Sequence, residues 1–351
     1  MAQAEATRPQ LEDGRITAPS SWIGRRHVLD LDDFSRSEIE EVLTTADQMR
    51  EILGRPIPQV PTLRGRHLVN LFYEASTRTR VSFELAGKSL GADVVNVTAS
   101  GSSIEKGETL LDTIQTLKAL GADAAILRHR AAGAPYEVAR SADLPVINAG
   151  DGCHAHPTQA LLDAYTIREH FGRVEGLHVA IVGDIAHSRV ARSDAWGLTK
   201  LGAQVTFCGP PSLLPFTALQ DTELAPWPVQ AEIRLDRAIA EADVIMPLRI
   251  QLERQEAGAF SSLREYAREY GVTSERLKGA PAHAIVMHPG PMNEGVEIAP
   301  DVAHGERSVV LDQVRNGVAV RMAVLYLLLS AVSVGDHHGE PELVSALAGR
   351  A

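Results

Sequence analysis

Apolar and polar positions along this chain fall into two alternating periods. The helical period is plainest near the start. Ser35 and Glu38 stand three apart as a capping box, Phe34 and Ile39 fit a hydrophobic staple around it, and Ile39, Val42, Leu43, Ala46 and Met49 form one stripe. Short, almost wholly apolar runs then recur: 67–72, 93–97, 124–127, 146–148, 179–182, 205–208, 244–246 and 284–287. Helical patterns such as Leu110, Leu111, Ile114 and Leu117 separate most of them. Strands that are apolar on both faces and alternate with helices predict parallel sheets covered on both sides. For 351 residues, two sheets of about four strands fit better than one of eight. The divide falls near Pro157, where a helix carrying Leu161, Leu162, Tyr165 and Ile167 bridges the halves.

Outside this pattern, residues 1–24 are polar and mixed and read as a flexible extension, and 335–351 as a C-terminal tail. The expected organisation is a first domain over 25–157, a second over 158–311, and a helix at 312–334 packing back on the first. That helix is apolar nearly all round (Val318, Val320, Met322, Val324, Leu325, Leu327, Leu328), which predicts burial. No apolar run reaches the roughly 18 residues of a membrane span, and the N-terminus carries no signal-like apolar core, so a cytoplasmic protein is expected. Cys153 and Cys208 are far apart and in no CxxC spacing, which argues against a disulfide scaffold or a thiolate zinc site. The formal charge of −11 argues against a nucleic-acid or anionic-membrane surface.

That acidity makes the candidate chemistry more informative. In open α/β sheets ligands sit at the carboxyl ends of strands. The first strong strand runs into Phe72-Tyr73-Glu74-Ala75-Ser76-Thr77-Arg78-Thr79-Arg80 and then a helical pattern ending at Gly91. Free N–H groups, hydroxyls and a guanidinium therefore converge at a helix start, which suits a phosphate. Arg78 and Arg80 lie about 200° apart around a helix, so only one faces a ligand; Arg80 is expected to pair with Glu84. Later strand ends supply Ser102 and Lys106 in a Gly/Ser loop, Arg128, His154 to Gln159, Asp184 with His187 and Arg189, Arg249 with Gln251, and His288 to Pro291. Cations, hydroxyls and amides dominate, and carboxylates are few, which describes a site for a ligand with several negative charges. His154 and His156 could share a metal, but no third ligand stands at useful spacing. Arg249 could instead pair with Glu253. No GxGxxG, P-loop or GxSxG occurs, which argues against dinucleotide, P-loop and serine-hydrolase chemistry.

Taken together, these strand ends resemble the aspartate/ornithine carbamoyltransferases, from about Arg26 to Val334. The motifs that carry the resemblance are Ser76-Thr77-Arg78-Thr79-Arg80, His156-Pro157-Thr158-Gln159 and His288-Pro289-Gly290-Pro291. The resemblance implies two doubly wound α/β domains with the active site in the cleft between them, shared between subunits of a trimer. It implies carbamoyl transfer from carbamoyl phosphate to an amino acid, as in pyrimidine biosynthesis, with no cofactor and no metal. By resemblance, Ser76, Thr77, Arg78, Thr79, Arg128, His156, Gln159, Gly290 and Pro291 hold carbamoyl phosphate. Lys106, Arg189, Arg249 and Gln251 hold aspartate, Ser102 and Lys106 come from a neighbouring subunit's loop, and Arg321 supports the cleft. The aspartate branch is favoured, because the ornithine branch usually has Cys where this chain has Pro289. Three departures stand out: Ala75 where proline is common, Gly290 where some relatives have a larger residue, and Pro247 two residues before Arg249. The resemblance leaves open a higher assembly with a regulatory chain or a dihydroorotase-like protein.

Overall fold

The computed structural model describes residues 20–22, 24–98, 107–215, 228–251 and 262–335. Its strands form two five-stranded sheets in which every pairing is parallel. In the first, β1 (His27–Val28), β2 (His67–Phe72), β3 (Asp93–Thr98), β4 (Ala124–His129) and β5 (Val146–Asp151) lie in the order β1-β5-β4-β2-β3. In the second, β6 (His178–Val182), β7 (Gln204–Cys208), β8 (Gln230–Glu232), β9 (Val244–Pro247) and β10 (Ile285–Val286) lie in the order β10-β9-β6-β7-β8. Two sheets were expected, but each has five strands rather than four. The added strands, β1 and β8, are two and three residues long and sit on sheet edges, too short to show a period.

The helices follow from their local chemistry. Helix α1 (Arg36–Leu53) starts on the Ser35–Glu38 capping box and buries the predicted stripe Ile39, Val42, Leu43, Ala46 and Met49. Helices α2 (Thr77–Ser89), α3 (Leu110–Ala119) and α4 (Ala134–Ser141) are the crossovers of the first sheet. Helix α5 (Pro157–Phe171) begins on a proline and is buried continuously from Pro157 to Ile167. It therefore lies inside the molecule, against α6 (Arg189–Lys200) on one side and the C-terminal helix (Val310–Gly335) on another. The C-terminal helix also packs on α1 and α2, and its side chains from Ala319 to Leu329 are buried, as its all-round apolar character predicts. One apolar cluster runs from Phe34 and Ile39 through Leu161 and Tyr165 to Ile181 and Phe207, so the two halves share a core. Part of the expected 1–24 extension is structured: Ser20–Trp22 form a 3-10 turn, and Trp22 is fully buried, edge-on to Phe34 at 5.6 Å. Among the described residues, no helix is long and apolar enough to cross a membrane.

What positions the site is the strand order. In the first sheet the winding reverses between β2 and β4, and in the second between β6 and β9. Crevices open at the carboxyl ends of strands at such reversals. The residues after β2, β4, β6 and β9 all line one cavity.

Candidate active site

The β2 end is a helix start built for an anion. Ser76 is the N-cap of α2, with extended backbone, and its Oγ accepts the Thr79 N–H at 3.4 Å. Thr77 and Arg78 are the first helical residues, and the Thr79 side chain is buried beneath them. The Arg78 guanidinium lies against the turn after β10. A Cβ on Gly290 would stand 2.4 Å from Arg78 Cζ, and Gly290 has φ +67°, so only glycine leaves this space and takes this backbone. The Gly290–Pro291 bond is cis. Arg78 has no acceptor among the described residues, and burial alone lowers its pKa. Arginine stays charged under any such shift, so the cavity holds an unpaired cation.

Arg128 and Arg189 are treated differently. Arg128 donates to the Glu74 carboxylate at 2.6 Å and to the Ala149 carbonyl at 3.1 Å. Arg189, the first residue of α6, donates to the same Glu74 oxygen at 2.6 Å and to the Gly152 carbonyl at 3.1 Å. One carboxylate from the first half thus brackets a guanidinium from each half. Gly150 makes room for both, since a Cβ there would lie 2.9 Å from Arg128 Nη1 and from Arg189 Nε. Glu74 was absent from the sequence-derived site. Its signal was present in the run Glu74 to Arg80, but its two partners come from distant segments.

His156 is buried at the start of α5, its backbone N–H held by Ser193 Oγ at 2.9 Å. Burial, then Arg128, Arg189 and Arg321, push its pKa well below 6.5, so the imidazole is neutral. Its Nδ1 has no hydrogen-bond partner among the described residues. Gln159, one turn along α5, donates its amide to Asp163 at 3.1 Å. Arg321, also buried, donates to Ser82 Oγ at 3.0 Å and the Gly317 carbonyl at 3.1 Å, and lies 5.2 Å from the Phe83 ring centre. Arg249 donates to Gln251 Oε1 at 3.2 Å, and the Gln251 N–H to the buried Asp184 carboxylate at 3.2 Å. Asp184 also holds His187 at 2.7 Å. Pro247 ends β9 and pairs with Val182, one residue before Leu248 donates to the Val182 carbonyl, so the strand stays in register up to Arg249.

Three expectations need separate treatment. Arg80 does not form the expected bridge to Glu84; that carboxylate takes Lys88 at 2.6 Å and Asn96 at 2.9 Å. The i,i+4 spacing allowed either neighbour, and Asn96 on β3 draws Glu84 away from Arg80. The two histidines do not converge on a metal: His154 Nδ1 lies 3.1 Å from Asp151, while His156 belongs to the cavity. Ser102, Lys106 and Glu253, with the loop and pairing expected of them, lie outside the described residues.

The assembled cavity measures about 920 Å³. Arg78, Arg128, Arg130, Arg189, Arg249 and Arg321 line it, and Glu74 is the single carboxylate among its described lining residues. A chain of net charge −11 has concentrated its cations here. The arrangement offers an unpaired guanidinium at a helix N-terminus, a neutral imidazole, an amide, and further arginines across the cleft. It suits a dianionic group beside a second anion.

Comparison with known proteins agrees. The carbamoyl-P binding domain of aspartate/ornithine carbamoyltransferase matches residues 26–169, and the Asp/Orn binding domain of the same family matches 175–328. The aspartate carbamoyltransferase catalytic subunit of Roseiflexus castenholzii is 62% identical over 305 residues, 87% of this chain and 95% of its own. That of Chloroflexus aggregans is 61% identical over 303 residues, 86% and 97% of the two chains. Among solved structures, aspartate transcarbamoylase from Trypanosoma cruzi, in complex with N-(phosphonacetyl)-L-aspartic acid, superposes with a TM-score of 0.80 at 33% identity, covering 88% of this chain and 98% of its own. The catalytic subunit of the M. jannaschii enzyme gives 0.75 at 36% identity, covering 90% and 100%. With both domain profiles matched across one cleft, this chain belongs to the aspartate/ornithine carbamoyltransferase family.

Proposed function

We propose that this protein transfers the carbamoyl group of carbamoyl phosphate to the amine of L-aspartate, giving N-carbamoyl-L-aspartate and phosphate. The observation that carries the reading is the cavity at two switch points, with six arginines against one carboxylate. The phosphate lies at the α2 N-terminus, on Ser76, Thr77, Thr79 and Arg78. Arg128 and His156 face the carbamoyl oxygen, with Gln159 and the turn at Gly290 and Pro291 around the carbamoyl amine. Arg189, Arg249 and Gln251 take the two aspartate carboxylates. Solved structures of the Trypanosoma cruzi enzyme with carbamoyl phosphate and aspartate support this pairing of substrates.

The neutral amine of aspartate attacks the carbamoyl carbon. The carbonyl π electrons move to oxygen, and Thr79, Arg128 and His156 stabilise that oxyanion. The C–O bond to phosphate then breaks, and the departing phosphate accepts the amine proton. No covalent enzyme intermediate is required, so rate comes from positioning and charge stabilisation, with about 10²–10³ in turnover per oxyanion donor. A charged histidine is not available, because burial and three guanidinium groups keep His156 neutral; a neutral donor is sufficient to stabilise an oxyanion. The minimal active unit is a trimer in which Ser102 and Lys106 complete a neighbour's site. The exposed apolar side chains Val81, Leu85 and Val95, on α2 and the edge strand β3, support a second copy there. Phosphate release from carbamoyl phosphate is expected with L-aspartate and not with L-ornithine; the reverse preference overturns the assignment. Mixed Lys106→Ala and Arg78→Ala chains should regain partial activity, and no recovery argues against a shared site.

A further inference from the structure

At the cavity wall, four polar groups from three segments form one continuous hydrogen-bonded chain, of which only Asp163 lies behind the lining residues. The His288 backbone N–H donates to Gln313 Oε1 at 2.8 Å. Gln313 Nε2 donates to Asp163 Oδ1 at 2.7 Å, and Gln159 Nε2 donates to the same oxygen at 3.1 Å. All four residues are buried. The direction of such a chain is usually ambiguous, because the two ends of an amide look alike. Here one end is fixed by covalent chemistry. A backbone N–H can only donate, so Gln313 must turn its oxygen to His288 and its NH₂ to Asp163.

The protonation of Asp163 fixes the other end. A carboxylate can only accept, so Gln159 must then give Asp163 its NH₂ and turn its oxygen into the cavity. Asp163 has a buried acidic neighbour, Asp194, and burial raises the pKa of both. Two amide donors and the charge of Arg321 favour the anion at Asp163, whereas neither oxygen of Asp194 has a hydrogen-bond partner among the described residues. Of the two carboxyl groups Asp194 is therefore the one that keeps a proton more readily, and Asp163, which receives both amides, is the acceptor.

We infer that Gln313 and Asp163 are positioning residues that set the polarity of Gln159, so that the carbamoyl end of the pocket accepts an –NH₂ group and discriminates against acyl phosphates that lack one. The inference rests on the proposed reading that an acyl phosphate occupies this cavity. It adds that selection for the carbamoyl amine is set by a backbone N–H on β10's exit turn, three hydrogen bonds removed from Gln159. A site built to hydrogen-bond a substrate NH rejects analogues without it far more strongly than an apolar pocket rejects a missing methylene.

The test compares two stable probes of one shape, phosphonoacetamide and acetonylphosphonate, which differ only in NH₂ against CH₃. Equilibrium binding of each to the full chain is measured by calorimetry without any amino acid, so the result is separate from whether aspartate is the acceptor. Wild type should prefer phosphonoacetamide. Asp163→Asn places a donor beside Gln159 and frees its amide to turn, and should lower the preference about tenfold, or 1.4 kcal/mol. Gln313→Leu, which breaks the link to His288 without adding a donor, should lower it several-fold and carries the test alone if the first variant does not fold. A purely structural role would weaken both probes together. An unchanged ratio in a folded variant, or no preference in wild type while both probes bind, overturns the inference.

Discussion

Two arginines that face each other across the cleft, Arg78 and Arg189, are held in opposite states. On the first sheet, Arg78 projects from the start of α2 with no acceptor among the described residues, and its position is defined by the bare Cα of Gly290. On the second sheet, Arg189 is already engaged by Glu74 and Gly152, and Arg249 by Gln251. The start of α2 is therefore an open electrostatic socket, while Arg128 and Arg189 share Glu74 and Arg249 holds Gln251 until a ligand replaces those contacts. An unpaired cation is tolerable at Arg78 because its side chain is exposed to a ligand-sized cavity rather than sealed in the core. Two guanidinium groups as close as those of Arg128 and Arg189 need a shared counter-ion, and Glu74 supplies it.

This contrast predicts a graded series of effects. Arg78→Ala removes an unpaired guanidinium from the start of α2, and turnover should fall by at least about 10²–10³. Activity retained within tenfold of wild type would show that another cation takes the phosphate. Gly290→Ala forces a methyl group into the guanidinium and strains a positive-φ residue. Displacing a reacting group by about 1 Å can cost about 10² in rate, and the loss should appear in kcat/KM for carbamoyl phosphate. The KM for aspartate should move little, and if both substrates suffer equally the two sides are not separable.

Glu74→Gln keeps the shape of the bracket and halves its purpose. Both arginines retain one backbone carbonyl, so the cleft stays formed, but the charge-assisted bonds are lost. An effect of about tenfold on KM for aspartate is expected from hydrogen bonds to charged groups. A larger effect on carbamoyl phosphate than on aspartate would place Glu74 on the wrong side of the comparison.

The smallest effect concerns stability. Asp163 and Asp194 bind protons more tightly in the folded chain than in the unfolded one, since burial raises both. Stability from such groups is present at acid pH and is lost as pH rises through their native values. Asp194→Asn should abolish part of that alkaline loss. The melting temperature should rise by roughly 2–4 °C for each kcal/mol gained, more at about pH 9 than at about pH 6. An equal gain at both values would exclude a titration of this pair as the cause.

Much of this was legible in the chain. The runs at 67–72 and 244–246 are apolar on both faces because both faces are covered, and that alone implies a parallel, helix-layered sheet. The Ser35–Glu38 capping box is a local device and formed as read. Strands β1 and β8 escaped because two or three residues on an edge carry no period. Arg80 and Glu84 were misjudged because a carboxylate on a helix surface chooses among neighbours, and Asn96 on β3 is no neighbour in sequence.

The sequence by itself determined that cations and amides would gather at strand ends, because strand, loop and helix start are local features. It also determined that Ser76 to Thr79 would open a helix toward an anion. Only the tertiary structure decided which arginines are paired, because Glu74, Arg128 and Arg189 come from three segments joined by packing. Only it decided the orientation of Gln159, which depends on a backbone N–H at His288 and an amide at Gln313. Strand ends are set by short-range pattern. The pairing of charges and the direction of hydrogen bonds are set by distances that exist only once the two sheets share a core.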